Sequence, residues 1–472
     1  MRSNPSLRIL RLRIRLRRLL LPCRLRPGLP GLLPAALLLL LPAACFAAPP
    51  AGFTALFNGR DLAGWWGAKT EDPRVYRALP PAEFAAKRDA SLPDIRAHWR
   101  VENGELVNDG RGLYLTTDND YGDFELLLDY KALPLGDSGV YLRGCPQVQI
   151  WDYTNPKEFK NGAEKGSGAL WNNNSNGRDT PGKFPLVLAD RPFGEWNHLR
   201  IIMVGARVWV WLNDRQTVDG AIMENYYDRK LPVAERRPVP PRGPIQLQTH
   251  GSEIRWRNLH LREIGAAEAT RRLRERAGAA AGFRPLFNGR DLDGWAGTTA
   301  AVRVEDGALV WQPKKGGTVY TKETFADFVA RLEFKVPPGG NNGLAIRYPG
   351  TGNPAYAGMC ESQIIDDNYE AATGKKLNPW QAHGSAYGMA PAHRGYQRPA
   401  GEWNYQEVTV KGSTIKVELN GTVILDADLS AVTEYAGNHP HPGKDLASGH
   451  FGFAGHSDPV AFRHVEIKPS AP

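Results

Sequence analysis

Apolar and polar side chains alternate along many short stretches of the chain. Residues 200–212 form two such stretches that are separated at residues 205–206, and residues 407–420 form two more that are separated at residues 412–413. Alternation with a period of two is typical of a strand with one buried face, and a two-residue turn containing glycine joins two strands into a hairpin. Many such strands, separated by Gly, Pro and Asn, predict an all-β fold in which two antiparallel sheets pack as a jelly-roll β-sandwich.

These strands belong to a unit that occurs twice in the chain. The sequence LFNGRDLAGW at residues 56–65 returns as LFNGRDLDGW at residues 286–295. The sequence GEWN at residues 194–197 likewise returns at residues 401–404, and each is followed at the same distance by a Leu-Asn pair. Chance does not supply a match of this length, so the chain is predicted to contain two copies of one domain.

The repeat also sets the expected domain boundaries. Between the copies lies a segment rich in helix formers and poor in apolar residues, which predicts a short solvated helix. The first repeat carries an insertion between Trp66 and Trp99 that is predicted to form a helix against the sandwich edge. The predicted segments are a signal peptide at residues 1–48, a first sandwich at residues 49–265, a linker at residues 266–281 and a second sandwich at residues 282–472.

The amino-terminal segment has the order of an export signal. Nine arginines without an acidic residue precede an apolar stretch at residues 32–41 and small residues through Ala48. Those nine arginines account for the whole formal net charge of +9, so the rest of the chain gives no reason to expect nucleic acid as a partner. We expect a secreted or periplasmic protein without an integral membrane segment after signal removal. A loose match to a lipoprotein box at residues 41–45 leaves a membrane anchor open.

Several motifs together resemble one known family. They are the repeated opening at residues 56–65, the Asp-Phe pair at residues 123–124, the GEWN turn, and the sequence from Gln246 to Asn258. These motifs resemble the 3-keto-disaccharide hydrolase family, and the resemblance spans nearly all of both repeats. It implies an all-β architecture of two tandem concanavalin A-like jelly-roll β-sandwiches joined by a short helical linker.

The resemblance also implies a reaction on glycosides whose C3 hydroxyl has been oxidised to a ketone. A C3 carbonyl acidifies the proton on C2, so a base can remove it and the enolate can expel the group on C1, after which water adds to the enone. Such a site needs a base, an acid for the leaving oxygen, and hydrogen-bond donors or a cation for the enolate.

One strand in each repeat is the expected place for these groups. Side chains two residues apart share a strand face, so Gln147 and Gln149, and in the second repeat Glu361 and Gln363, are predicted to point into one surface. This spacing is similar to the acidic strand of concanavalin-like glucanases. Because glutamine can neither attack C1 nor transfer a proton at neutral pH, a two-carboxylate glycosidase is disfavoured in the first repeat. The candidate catalytic residues of the second repeat are Glu361 and His383, as base or acid, and Asp366, as a supporting carboxylate. Asp152 is the equivalent of Asp366 in the first repeat.

The candidates for substrate binding occur mostly in matched pairs. Arg143 and Arg347 end equivalent strands, where a guanidinium could hold sugar oxygens or the enolate, although a plain salt bridge is an equal alternative. Trp171 and Tyr387 occupy matching positions and could stack on a sugar ring or pack in the interior. The full set of predicted substrate-binding residues is Arg143, Gln147, Gln149, Trp171, His250, Arg347, Gln363, Tyr387 and His456.

No cofactor and no metal site are predicted. Asp366, His456 and Asp458 could in principle coordinate a divalent ion, but they form no compact ligand motif. The expected function is hydrolysis of 3-keto-glycosides or 3-keto-disaccharides, with an oligosaccharide or glycoside as partner. Two alternatives remain open, a pair of non-catalytic carbohydrate-binding modules and a glucanase-like glycoside hydrolase. The sequence does not decide which repeat is active.

Overall fold

The structure, a computed structural model, describes residues 48–276 and 281–470. The predicted signal peptide, residues 1–48, lies outside the described residues except for Ala48. The described residues form four antiparallel sheets, arranged as two β-sandwiches in chain order, which confirms the all-β, jelly-roll prediction.

The first sandwich consists of thirteen strands among the described residues. They are β1 (Thr54–Ala55), β2 (Trp65–Ala68), β3 (Trp99–Glu102), β4 (Glu105–Asn108), β5 (Tyr114–Thr117), β6 (Phe124–Ala132), β7 (Asp137–Leu142), β8 (Cys145–Trp151), β9 (Asn197–Val204), β10 (Arg207–Leu212), β11 (Arg215–Ile222), β12 (Gln246–Leu247) and β13 (Ile254–Glu263).

The second sandwich repeats the same thirteen positions. Its strands are β14 (Arg284–Pro285), β15 (Trp295–Gly297), β16 (Val302–Glu305), β17 (Ala308–Trp311), β18 (Gly317–Phe325), β19 (Phe328–Lys335), β20 (Asn341–Tyr348), β21 (Cys360–Ile365), β22 (Asn404–Lys411), β23 (Thr414–Leu419), β24 (Thr422–Asp428), β25 (Gly449–Gly455) and β26 (Ala461–Pro469).

The two sandwiches share one strand topology. In the first, a large sheet runs β11-β10-β9-β6-β13-β4-β3 with β1 also on β13, and a small sheet runs β2-β5-β12-β7-β8. In the second, the large sheet runs β24-β23-β22-β19-β26-β17-β16 with β14 on β26, and the small sheet runs β15-β18-β25-β20-β21. Each strand of one sandwich therefore has a counterpart thirteen strands later, and residues can be matched by their pairing registers.

Each core lies between a large and a small sheet. In the first sandwich, Leu128 and Trp256 of the large sheet belong to the same apolar cluster as Val140 and Val148 of the small sheet. Each fully buried aliphatic side chain of this kind contributes roughly 1.5–3 kcal/mol through its removal from water. Because strand side chains alternate, the residues between these core positions point to the outer face of the small sheet, away from the core.

Sharp hairpins follow from residues that tolerate positive φ. Asn213 and Asp214 have φ of 50° and 64°, and Asn420 and Gly421 have φ of 49° and 86°. These values suit the two-residue turns whose twist matches that of the flanking strands. The predicted turns at residues 205–206 and 412–413 likewise separate β9 from β10 and β22 from β23.

The helices lie in the insertions and in the linker. The insertion after β2 contains α1 (Pro73–Arg77) and α2 (Pro81–His98), so the predicted helix is present and packs against β2. The linker forms α3 (Ala266–Glu275), and α4 (Pro354–Ala357) and α5 (Tyr369–Thr373) follow in the second sandwich. The expectation of a solvated linker is wrong for one side of α3. Ala269 and Leu273 are buried there, in an apolar cluster with Val204 of the first sandwich and Tyr405 of the second.

Candidate active site

The outer face of the small sheet in the second sandwich brings polar and small residues together. Glu361, Gln363 and Ile365 alternate along the edge strand β21 and share this face. Gly343 pairs with Gln363 across β20, and the row continues through Ala454 on β25 to Thr318 on β18. Because Gly343 and Ala454 project little or nothing from the sheet, the row leaves space above it.

That space is a cavity of about 390 Å³. Its floor is the outer face of the small sheet, and its walls come from α4, α5 and the segment between β21 and β22. A volume of this size lies within the range of roughly 300–1,000 Å³ found for small-ligand sites. The side chains that line it are those of Thr318, Asn341, Asn353, Pro354, Ala355, Tyr356, Glu361, Gln363, Ile365, Tyr369, Leu377, Gln381, Tyr387, Ala454 and His456.

Glu361 is the buried carboxyl group of this cavity. Its exposed fraction is only 5 %, and burial raises its pKa to about 8. Loss of hydration disfavours the charged form of a carboxyl group, and in the described part of the chain no cation offsets that loss. A glutamate with a pKa close to the working pH can both accept and return a proton, as acid–base chemistry requires.

Gln363 contacts Glu361 directly. The side-chain amide of Gln363 lies 3.0 Å from Glu361 Oε1 and 3.1 Å from Asn341 Oδ1. A hydrogen bond to Glu361 forms in either of two ways: Nε2 donates to the ionised carboxylate, or the protonated carboxyl donates to Oε1. The pair thus accommodates both protonation states of Glu361.

Tyr356 and Tyr387 form the aromatic wall above the cavity. Their rings meet edge to face with centroids 6.3 Å apart. Burial raises the pKa of Tyr356, and the neighbouring Tyr387 and Glu361 add to the effect. The structure therefore places predicted Tyr387 in the cavity and adds Tyr356, which the sequence reasoning missed. The sequence feature that could have pointed to Tyr356 is the long connection between β20 and β21. The matching connection in the first repeat consists only of residues 143–144.

His456 lies at the rim of the cavity, where its side chain is exposed. Neighbouring atoms partly desolvate its ring and lower its pKa, and the charge of Asp458 opposes that effect. Asp458 itself accepts a hydrogen bond of 3.0 Å from the backbone N–H of Asn341, which ties the rim to β20. Predicted Glu361, Gln363, Tyr387 and His456 thus line one cavity.

The first sandwich carries a closed polar network on the same face. Gln147 donates to Gln149, Gln149 Nε2 donates to Asp137 Oδ1 at 2.8 Å, and His250 Nδ1 lies 2.9 Å from Asp137 Oδ2. The hydrogen bond to Asp137 raises the pKa of His250. Gln147 and Gln149 are buried, and their counterparts by register are Glu361 and Gln363.

Larger side chains fill the face of the first sandwich. Tyr114 and Gln248 stand where the second sandwich has Thr318 and Ala454. Gln248 Nε2 lies 3.3 Å from the hydroxyl of Tyr114. On the neighbouring strand the insertion packs Tyr76 of α1 edge to face against Trp66, with centroids 5.4 Å apart.

Arg143 and Arg347 do not contact the cavity. Each guanidinium is buried and binds the start of the preceding large-sheet strand: Arg143 pairs with Asp123 at 3.1 Å and Arg347 pairs with Asp327 at 2.8 Å. Backbone carbonyl groups accept their remaining hydrogen bonds. The structure therefore favours the salt-bridge alternative over the role of holding sugar or enolate.

The two candidate aspartates, Asp152 and Asp366, hold nearby loops in place through hydrogen bonds from backbone N–H groups. Asp152 accepts hydrogen bonds from the N–H of Leu135 at 2.8 Å and of Thr154 at 2.7 Å. Burial opposes ionisation there, but the hydrogen bonds from Thr154 and the backbone lower the pKa of Asp152 overall. Asp366 accepts from the N–H of Gly339 at 2.8 Å in the same way. Neither lines the described cavity, so a supporting role in catalysis has no geometric basis.

His383 and Trp171 also lie apart from the cavity. His383 is buried, its ring stacks on Phe334 with centroids 4.8 Å apart, and its Nε2 lies 2.9 Å from Gln406 Oε1. Burial lowers the pKa of His383, which disfavours its charged form. Trp171 donates from Nε1 to the carbonyl of Asn161 and packs against Trp151. Both residues occupy packing positions.

Two further predictions concern ions and membranes. Within residues 48–276 and 281–470, no three His, Cys, Asp or Glu side chains converge in a geometry that would hold a metal ion. Asp366, His456 and Asp458 in particular do not form such a cluster. Over the same ranges, no helix combines the length and apolar character needed to cross a membrane.

Comparison with known proteins identifies the domain in both halves of the chain. The family sequence model of the 3-keto-alpha-glucoside-1,2-lyase-like domain matches residues 52–262 and residues 282–468. The chain is also 26% identical over 228 residues to the 3-keto-disaccharide hydrolase of Bacteroides thetaiotaomicron, a match that covers 40% of this chain and 78% of that protein.

Solved structures give weaker likenesses. A crystal structure of a candidate glycosyl hydrolase from Parabacteroides distasonis is 26% identical, covers 41% of this chain and 95% of its own, and has a TM-score of 0.35. A carbohydrate-binding module from Bacillus subtilis is 11% identical, covers 38% and 97%, and has a TM-score of 0.27. The family model spans most of the chain, in two copies. The chain therefore belongs to the family of the 3-keto-alpha-glucoside-1,2-lyase-like domain and is a glycosyl hydrolase-like, carbohydrate-active protein.

Proposed function

We propose that the second sandwich cleaves 3-keto-glycosides, such as 3-keto-disaccharides, in the cavity beside Glu361. The observation that carries the proposal is a carboxyl group in the floor of a cavity of about 390 Å³. This carboxyl group is 5 % exposed, and no cation of the described residues offsets its burial. An ordinary two-carboxylate glycosidase would need a second acid across the scissile bond. Among the described lining residues Glu361 is the sole carboxylate.

The proposed reaction needs one strong base rather than two carboxylates. Ionised Glu361 takes the proton from C2, and the electron pair of the C2–H bond moves into the C3 carbonyl as an enolate. The enolate then expels the C1 oxygen, which leaves with the C1–O electron pair and takes up a proton. Water adds to the resulting enone, with hydroxide at C1 and a proton at C2. The products are a free 3-keto-sugar and the released alcohol or sugar.

The residues around Glu361 suit this sequence. A carboxylate whose pKa is raised to about 8 binds a proton more strongly than an ordinary glutamate, which favours removal of a weakly acidic C–H proton. The hydroxyl groups of Tyr356 and Tyr387 supply hydrogen bonds for the enolate oxygen, a role that the sequence had suggested for an arginine. Gln363 holds Glu361 in both protonation states and orients it along the floor of the cavity.

The first sandwich lacks the key group at the matching position. Gln147 replaces Glu361 there, its amide cannot transfer a proton at neutral pH, and Tyr114 and Gln248 fill the space above the sheet. We therefore assign catalysis to the second sandwich and a structural role to the corresponding face of the first.

The test is the variant Glu361→Gln in the full-length chain, assayed on a 3-keto-disaccharide and on its unoxidised parent. Loss of acid–base catalysis lowers rates by about 10²–10⁴-fold, so kcat should fall by that factor. The substitution places in the second sandwich the amide that the first sandwich already tolerates, so the fold should persist. Asp137→Asn is the matched control, because it alters the network of the first sandwich, and its kcat should equal that of the unaltered protein.

Each alternative predicts a different result. Cleavage of the unoxidised parent would indicate a glucanase-like hydrolase instead. Binding of sugars without turnover of either substrate would indicate a pair of binding modules. A Glu361→Gln variant with undiminished kcat, or an Asp137→Asn variant that has lost activity, would contradict the assignment of catalysis to Glu361.

A further inference from the structure

A second cavity, of about 760 Å³, lies between α3 and the second sandwich. One side is the linker helix, and the other is the large sheet at β19 and β26 together with residues 398–403. It shares no described lining residue with the cavity beside Glu361. Its lining residues are Ala266, Ala267, Thr270, Arg271, Arg274, Glu275, Arg331, Glu333, Arg398, Gly401, Glu402, Trp403, Arg463 and His464.

The lining residues carry more guanidinium groups than carboxylates, so the carboxylates do not balance the positive charge. Five arginines face three glutamates among the lining residues described. Glu333 is already bound by Arg463, which donates to it from Nε at 2.9 Å and from Nη2 at 2.7 Å. Glu466, just outside the cavity, is shared by Arg274 at 2.7 Å and Arg331 at 2.5 Å.

Arg398 forms no ion pair with a carboxylate among the described residues. Its Nη1 donates to Thr270 Oγ1 at 3.1 Å and to the carbonyl of Trp403 at 2.6 Å, while its Nη2 is buried and makes no hydrogen bond. Arg274 Nη1 is also buried without a hydrogen bond, and the nearest carboxylate oxygen, on Glu333, is 3.8 Å away. Buried donors of this kind destabilise the folded protein unless a ligand accepts hydrogen bonds from them.

The carboxylates in the cavity distinguish between kinds of anion. Glu275 and Glu402 are exposed at the rim, where they would repel an inorganic anion. A sugar acid is different, because its carboxylate can accept from guanidinium groups while its hydroxyl groups donate to the glutamates. Trp403 adds a half-buried aromatic wall of the sort that sugar C–H groups contact.

We propose that this cavity binds a uronate, with the sugar carboxylate at Arg398 and Arg274 and the hydroxyl groups toward Glu275 and Glu402. Planar guanidinium groups match a carboxylate through paired hydrogen bonds, which an ammonium group cannot reproduce. The proposal is independent of the reaction assigned to Glu361. It gives the protein a second carbohydrate site, which prefers an acidic sugar to a neutral one.

The experiment is isothermal titration of the full-length chain with D-glucuronate, D-glucose and inorganic sulfate. We expect D-glucuronate to bind with a millimolar Kd and to weaken as salt is raised, and D-glucose and sulfate to bind at least tenfold more weakly. Arg398→Lys retains the charge but removes the planar group, and should weaken D-glucuronate by about tenfold. Arg271→Ala removes an exposed lining cation that is far less coupled to the fold, and should weaken it by a smaller factor.

Arg272→Ala is the matched control. Arg272 lies on the same helix, does not line the cavity, and donates to Glu268 at 2.8 Å. Its loss should leave the Kd for D-glucuronate unchanged. The proposal is overturned if D-glucuronate does not bind, if sulfate binds as well as D-glucuronate, or if Arg398→Lys and Arg271→Ala both bind it as the unaltered protein does.

Discussion

A single pair of matched residues separates the chemistry of the two sandwiches. Glu361 and Gln147 occupy the same register position on equivalent edge strands, and both are 5 % exposed. Gln147 donates to Gln149 in a network that ends at Asp137 and His250. Asn341 stands where the first sandwich has Asp137. The carboxyl group of the network is therefore Glu361 on the edge strand in the second sandwich, and Asp137 on the neighbouring strand in the first.

The raised pKa of Glu361 predicts a distinct pH dependence. As a base Glu361 must be ionised, and its pKa of about 8 means that the ionised fraction falls as the pH drops below that value. We expect kcat/KM for a 3-keto-disaccharide to fall about tenfold for each pH unit below 8 and to level off above it. The measurement is a pH–rate profile of the full-length chain. A profile that is flat between pH 5 and 8 would contradict the role of base.

The residues at the site show what sequence can and cannot provide. Period-two alternation correctly placed Glu361 with Gln363 on one strand face, because that relation is local. His383 and Arg347 lie near or in these strands in sequence, but their burial depends on partners elsewhere in the chain, such as Gln406 and Asp327. A single sequence does not show such long-range pairing, so their structural role emerged only from the structure.

At the scale of elements, the two sandwiches differ in where the chain is extended. The first extends the connection after β2, which places α1 and α2 beside the small sheet. The second extends the connection between β20 and β21, which places α4 and Tyr356 above the small sheet. The strand framework was predictable from alternation and repeats. The shape of the cavity was not, because it depends on how these extensions pack.

Filling the cavity from its floor should weaken the binding of substrate. Ala454→Gln introduces the residue that occupies the matching position of the first sandwich as Gln248. We expect kcat/KM for a 3-keto-disaccharide to fall at least tenfold, mainly through KM, while the Tm of the protein stays within a few degrees. Gln248→Ala is the matched control and should leave both parameters unchanged. Full activity of Ala454→Gln would place the substrate elsewhere.

At the scale of the whole molecule, the sandwiches share an interface that is polar at its edges and apolar at its centre. Val204 and Trp209 of the first sandwich, Leu273 of α3 and Tyr405 of the second belong to one apolar cluster. Around it, Arg207 binds Glu418 through two hydrogen bonds of 2.6 Å and 2.5 Å. Because an apolar interface couples the two domains, we expect them to unfold together rather than separately.

Removal of Arg207 should reveal the strength of this interface. Glu418 is largely buried, so Arg207→Ala leaves it as an unpaired charge, which costs about 3–5 kcal/mol. The free energy of unfolding, measured by urea titration, should fall by that amount. The double variant Arg207→Ala with Glu418→Gln should recover much of the loss, because the buried charge is gone. Absence of any recovery would indicate that Arg207 acts through packing instead.

The turn of the first sandwich at residues 205–206 rests on the turn of the second at residues 420–421. Ala206 N–H donates to the carbonyl of Gly421 at 3.1 Å, and a Cβ atom at position 421 would lie 2.6 Å from the carbonyl oxygen of Val204. The first repeat has Asp214 where the second has Gly421. In a chain assembled from two first repeats, the Cβ atom of that aspartate would therefore clash with the backbone at position 204. The two repeats are therefore not interchangeable, and an engineered chain must keep them in their present order.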